Sequence, residues 1–336
     1  MGRNMKRWVA DMIANPIKQP LPILSFPCVQ LLNVSVKDLV FNSELQAKGM
    51  QMVANRAPSS ASVSLMDLSV EAEAFGATIH TSENEVPTIA GVLLEDEESA
   101  YALKVPPVGA ARTELSINAI AKAVPLITDR PILAGVIGPY SLAGRLFGVG
   151  ESMIYCYEEP EMVHTVLQKA TDFIINYAKA YKEVGANGVV IAEPLAGLLS
   201  PGLAQEFSHP YNKQIIDAVQ ADEFAVIYHN CGDNVLLMAK DIYQMGAMGY
   251  HFGDAIHLAD MFADAPSDAL VMGNVSPSAQ LLGGTVSSIR EVTTQLLQEC
   301  GHHANFVISS GCDIPPLTPW PHLDAFFDAV ADYYAN

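Results

Sequence analysis

The chain has 336 residues, half of them hydrophobic and 16% charged, which supplies one large core and excludes a disordered or fibrous protein. Its 18 Lys and Arg stand against 37 Asp and Glu, a formal net charge of −19. That charge repels phosphate backbones and anionic lipid, so neither nucleic acid nor a membrane surface is an expected partner.

Short runs rich in Val, Ile and aromatics alternate with stretches of helical periodicity. In chain order the predicted strands are 22–29, 62–68, 132–137, 188–192, 224–228, 249–252, 270–273 and 306–309. The predicted helices are 43–55, 114–123, 158–184, 203–219, 235–245, 255–262, 287–300 and 322–334. Strands that continue a sheet across a helix run parallel, and eight such units close into a (β/α)8 TIM barrel, an α/β fold of one domain. Residues 20–75 supply the first two units and 111–336 the rest. Residues 76–110, with three prolines and an acidic stretch, read as an insertion after the second strand, either capping the barrel mouth or running over the surface without a role. The rival open sheet would need a glycine-rich phosphate loop after an early strand, which is missing.

Asp129 and Arg130, then Glu193 and Pro194, bound the longest apolar runs below bilayer length. The first residues carry Arg3, Lys6 and Arg7 without the apolar core of a signal peptide. Five cysteines, an odd number, argue against a disulfide framework and for a reducing compartment. A cytoplasmic protein is expected.

The working face of such a barrel is the carboxyl end of its strands. The residues there are Asp67, Tyr140, Glu193, His229 and Cys231, His251 and Asp254, Asn274 and Ser276, then Cys312 and Asp313. In His229-Asn230-Cys231 the two possible ligands share one side if Asn230 points the other way. Cys312 leaves the last strand at the same end. Three such ligands leave a fourth position open, the arrangement of catalytic zinc. On spacing alone, buried packing remains equally open, because Cys behaves as a small hydrophobe. Two thiolates and an imidazole neutralise Zn²⁺, which suits the activation of a thiol better than the generation of hydroxide. Glu193 is a candidate ligand or outer base, or a strand-end carboxylate bonded to loops. His251 and Asp254 are candidates for a transient fourth ligand, with a structural histidine as the alternative for His251.

HNCG at His229, GNVSPSAQLLGG from Gly273, SSGCDIPPLTPWPHLDA from Ser309, IAEP at Ile191 and VIGPYSLAG from Val136 resemble the uroporphyrinogen decarboxylase superfamily. Within it they are similar to the zinc-dependent methylcobamide:coenzyme M methyltransferases, over nearly the whole chain and most strongly after residue 130. The resemblance implies a TIM barrel with zinc on His229, Cys231 and Cys312. It implies transfer of a methyl group from a methyl-Co(III) corrinoid (methylcobalamin), carried by a partner protein, to a zinc-bound thiolate such as coenzyme M. The reverse flow, from a methylated small molecule to a Co(I) corrinoid protein, is the alternative. Tyr140 and Arg145 would line the corrinoid entrance, with Gly135, Gly138, Gly144 and Gly148 either opening that wall or permitting close packing. A sulfonate would find Arg145, or backbone N–H groups of the loop at Asn274 and Ser276, unless that loop is an ordinary helix cap. Asp67 resembles the essential aspartate of the decarboxylases, but the arginine-rich segment that binds porphyrinogen carboxylates is replaced by Phe26-Pro27-Cys28-Val29-Gln30-Leu31. Decarboxylation is therefore rejected. Self-association of the barrel is left open.

Overall fold

Among the described residues seven strands pair side by side, every pair parallel, in the order in which they are named next. They are β1 Ser62–Val63, β4 Ile132–Ile137, β5 Gly188–Ala192, β6 Ala225–Asn230, β7 Gly249–Phe252, β8 Leu270–Val275 and β9 Phe306–Ser310. β2 Thr78–His80 and β3 Thr88–Ala90 form a separate antiparallel hairpin. The structure is a computed structural model and describes residues 2–335. Alternate side chains divide cleanly. Leu133, Val190, Ala192, Ala225, Ile227, Leu270, Met272 and Val307 fill the barrel interior. Their neighbours Ala134, Val136, Val189, Ile191, Val226, Tyr228 and Ile308 pack under the helices. Burial on both faces explains why these strands read as nearly continuous apolar runs.

The strand expected at 22–29 is not formed. Leu21 N donates to Ile308 O at 2.9 Å, and Ser60 N donates to Pro20 O at 2.8 Å, so an extended segment bridges β9 and β1. Pro20 and Pro22 carry no N–H, which removes the donors that a ladder to β1 needs. This segment occupies the eighth place in the barrel wall. Cys28 then opens the helix Cys28–Leu32, buried against Gly49, where burial pushes its thiol up to about 12.

The helix Met5–Ala14, capped by Asn4, closes the other end of the barrel, with Met5 and Val9 joining the interior cluster. The expected helix 203–219 is divided into Pro201–Phe207 and His209–Val219, whereas that at 158–184 is continuous as Pro160–Glu183 and follows an unexpected helix, Val149–Glu158. Residues 76–110 contain the hairpin and the helix Glu97–Ala102. They are tied to the outer helices, because Leu93 N and Leu94 N donate to Leu146 O and Lys169 Nζ donates to Tyr101 O. Among the described residues no helix is long and apolar enough to cross a membrane.

Candidate metal centre

β6 sets the site by its alternation. Ala225 and Ile227 face the interior, so His229 does too. Asn230 turns outward, donating from Nδ2 to Tyr228 Oη at 3.1 Å and accepting from Gly232 N at 3.0 Å, which returns Cys231 to the inner side. A Cβ at Gly253 would overlap Cys231, so glycine there lets the loops after β6 and β7 close together. Cys312 arrives from β9. The ligand atoms of His229, Cys231 and Cys312 lie within 4.8 Å of one another, with Cys312 Sγ 3.4 Å from His229 Nε2. A tetrahedral zinc with ordinary bond lengths holds N and S about 3.6 Å apart, so the donor set fits that ion in both chemistry and spacing. A hydrogen bond from the Cys312 thiol lowers the Cys231 thiol and pushes Cys312 up to about 12, as expected of two sulfurs competing for one proton.

His251 is not a fourth ligand. Its Nδ1 meets His229 Nδ1 at 2.7 Å and its Nε2 meets Ser309 Oγ at 2.8 Å, which occupies both ring nitrogens. It stands directly behind the ligand instead. Asp254 is exposed and packs against Gly311, outside the three-residue ligand set. Asp313 follows Cys312 and accepts from Ser25 Oγ at 3.5 Å. Burial, then the neighbouring Cys312, raise its carboxyl well above the usual range.

Glu193 is neither ligand nor outer base. Ala192 faces inward, so the next side chain faces the helices. Its carboxylate accepts from Ser141 N at 2.6 Å, Tyr140 N at 3.1 Å and Asn212 Nδ2 at 2.9 Å, clamping the amino end of the helix Pro139–Phe147. Burial raises its pKa against the downward pull of these bonds. Tyr140 is fully buried with its hydroxyl towards Ser152 and Cys156, so it lines no entrance. Beside it, the spaces a Cβ would need at Gly138 and Gly144 are filled by Glu193 and Leu195, the close-packing alternative.

Asp67 is equally committed. It forms a buried ion pair with Arg112, whose Nε also donates to Glu73 at 2.6 Å and whose Nη2 donates to Ser69 Oγ at 2.7 Å. Nothing in the sequence singles out Arg112, because an arginine outside any motif carries no local signal of its partner. Nearby, Glu71 Oε1 accepts from Ile137 N at 2.9 Å, and burial moves its carboxyl from an ordinary 4.5 to about 7. Folded protein therefore holds an extra proton between those values, and stability falls as pH rises through them. Glu71→Gln is expected to gain on the order of 3 kcal/mol over the native chain at pH 8 and little at pH 4. Thermal unfolding at the two pH values checks this, and an equal difference at both contradicts it.

Arg145 makes no ion pair among the described residues. Its Nη1 donates to Ser141 O at 3.3 Å. Desolvation lowers its pKa, while Glu71, Glu193 and Asp67 oppose the shift. The expected anion-binding loop is a closed cap. Asn274 Nδ2 bonds the carbonyls of Gly253 and Ile256, both at 2.9 Å, and Ser276 Oγ accepts from Ala279 N at 3.1 Å. Pro277 removes another donor.

The profile of the uroporphyrinogen decarboxylase (URO-D) family matches residues 23–333. The methylcobamide:CoM methyltransferase MtbA of Methanosarcina acetivorans is 26% identical over 275 residues, 80% of this chain and 78% of that protein. A uroporphyrinogen decarboxylase of Flavobacterium johnsoniae is 28% identical, covering 86% and 85%. A methylated-thiol–coenzyme M methyltransferase of Methanosarcina mazei is 24% identical, covering 95% and 84%. Among solved structures, a methyltransferase from Methanosarcina mazei superposes with a TM-score of 0.87 at 26% identity, over 98% of each chain. A B12-independent methionine synthase from Shewanella, at 0.59 and 10%, shares the fold alone. The chain thus belongs to the uroporphyrinogen decarboxylase family and is an enzyme of its methyltransferase branch.

Proposed function

We propose that this enzyme moves a methyl group from a methyl-Co(III) corrinoid, carried by a partner protein, to a small thiol of the coenzyme M kind. The observation that carries the reading is the convergence of His229, Cys231 and Cys312 on one point from β6 and β9. Zinc held there would lower the pKa of an incoming thiol while the two cysteine thiolates keep the ion electron-rich and the substrate sulfur nucleophilic. The imidazole is buried and fixed. The two cysteines are only half buried, so an arriving sulfur approaches from their side. Arg145, which forms no ion pair among the described residues, is the cation we assign to the acidic tail of the thiol.

Decarboxylation is disfavoured by the same structure. Asp67 is held by Arg112, and Phe26 to Leu31 offers no cation for a porphyrinogen. The match to the methylated-thiol–coenzyme M methyltransferase favours a second reading, in which a methylated small molecule is the donor and the corrinoid protein accepts. Methylcobalamin mixed with the zinc-loaded enzyme and 2-mercaptoethanesulfonate should convert to Co(I), followed by cobalt absorbance. Metal-free enzyme should show none of this. Unchanged methylcobalamin with the zinc-loaded enzyme rejects the first reading, and methylation of Co(I) by a methylated thiol then establishes the second.

A further inference from the structure

A hydrogen-bond chain runs from the ligand set into the barrel wall, and its proton positions can be assigned from its far end. Leu21 O can only accept, and it lies 2.7 Å from Ser309 Oγ, so the one hydroxyl proton of Ser309 points to it. Ser309 then offers only lone pairs to His251 Nε2 at 2.8 Å, which places a proton on that nitrogen. His229 Nδ1 lies 3.3 Å from the carbonyl oxygen of His251, which can only accept, so His229 carries a proton on that atom and the 1% exposed His251 is left with an acceptor at its own Nδ1. That Nδ1 stands 2.7 Å from His229 Nδ1, and the proton between them belongs to His229. His229 Nε2 is left as a lone pair facing Cys312.

We infer that His251 and Ser309 are positioning residues that lock His229 in its Nδ1–H tautomer and so present Nε2 to the metal. The inference rests on the proposed metal reading for its purpose, though not for its geometry. Ligand histidines commonly lean on a carboxylate or a backbone carbonyl. Here a neutral imidazole and a hydroxyl stand between the ligand and the carbonyl, so no further negative charge is added behind two cysteine ligands. The chain ends on Leu21, within the irregular segment that bridges β9 and β1, which ties barrel closure to the orientation of the ligand.

The test uses full-length protein labelled with ¹⁵N-histidine. In the metal-free native chain, ring-nitrogen spectra should show His229 protonated on Nδ1, and a proton on Nε2 overturns the inference. Ser309→Ala should weaken zinc binding by about 10–100-fold in competition with a chelator, and Ser309→Thr, which keeps the hydroxyl, should restore it. Native zinc affinity in Ser309→Ala overturns the inference as well. A native chain that takes up no zinc overturns the metal reading instead, while the tautomer spectrum still decides this proposal.

Discussion

Cys312→Ala is expected to retain its fold and to lose both stoichiometric zinc and methyl transfer. The residue supplies one of three converging donor atoms and one of two negative charges that would offset the ion. Loss of an outer partner alone costs about 10–100-fold in affinity, so loss of a direct ligand should exceed that range. Cys300→Ala is the control. Cys300 is buried at the end of the helix Val286–Cys300, where burial pushes its thiol up to about 12, and it belongs to no ligand set. Metal analysis after dialysis should find about one zinc per chain in the control and almost none in Cys312→Ala. Full zinc and native activity in Cys312→Ala would remove the assignment.

Arg112→Met should lose stability and keep its zinc. The guanidinium is 5% exposed and bridges Asp67, 4% exposed, to Glu73, 21% exposed. Removing it strands a buried carboxylate, which costs about 3–5 kcal/mol, far more than a surface ion pair contributes. Denaturant unfolding measures the deficit, and metal analysis of the folded variant tests the site separately. A deficit below about 1 kcal/mol would show that the pair behaves as a solvated one. Lost zinc at undiminished stability would instead tie Asp67 and Arg112 to the metal centre.

The parts of this fold legible in the sequence are those where burial is symmetrical. β4, β5 and β7 coincide with the expected ranges residue for residue, because strands covered on both faces leave unbroken apolar runs between glycines and prolines. The run at 22–29 has the right hydropathy, yet its prolines remove the donors a ladder needs, and hydropathy does not register that loss. The helix Met5–Ala14 is not among the expected elements because the charges of Lys6 and Arg7 mask a buried face on which Met5 and Val9 repeat at helical spacing.

The site shows the same division. His229 and Cys231 were placed together by strand parity alone, and their meeting with Cys312 follows from closure of the barrel. Parity also decides between the two readings of Glu193, which follows an inward Ala192 and faces outward. Counting in the same way from Val307 would have put Ser309 inside with His251. Tyr140 lies in the helix Pro139–Phe147 and Arg112 precedes another, Thr113–Ala123, where orientation depends on packing that only the assembled layers determine.

The central claim is that three side chains hold one zinc with room for an incoming sulfur. X-ray absorption at the zinc edge, recorded on the full-length protein before and after addition of 2-mercaptoethanesulfonate, tests it most directly. The expected spectrum has two sulfur neighbours and lighter atoms at first, then three sulfurs once thiol is present. A sulfur count that stays at two under saturating thiol, or a shell of nitrogen and oxygen alone, would contradict the account.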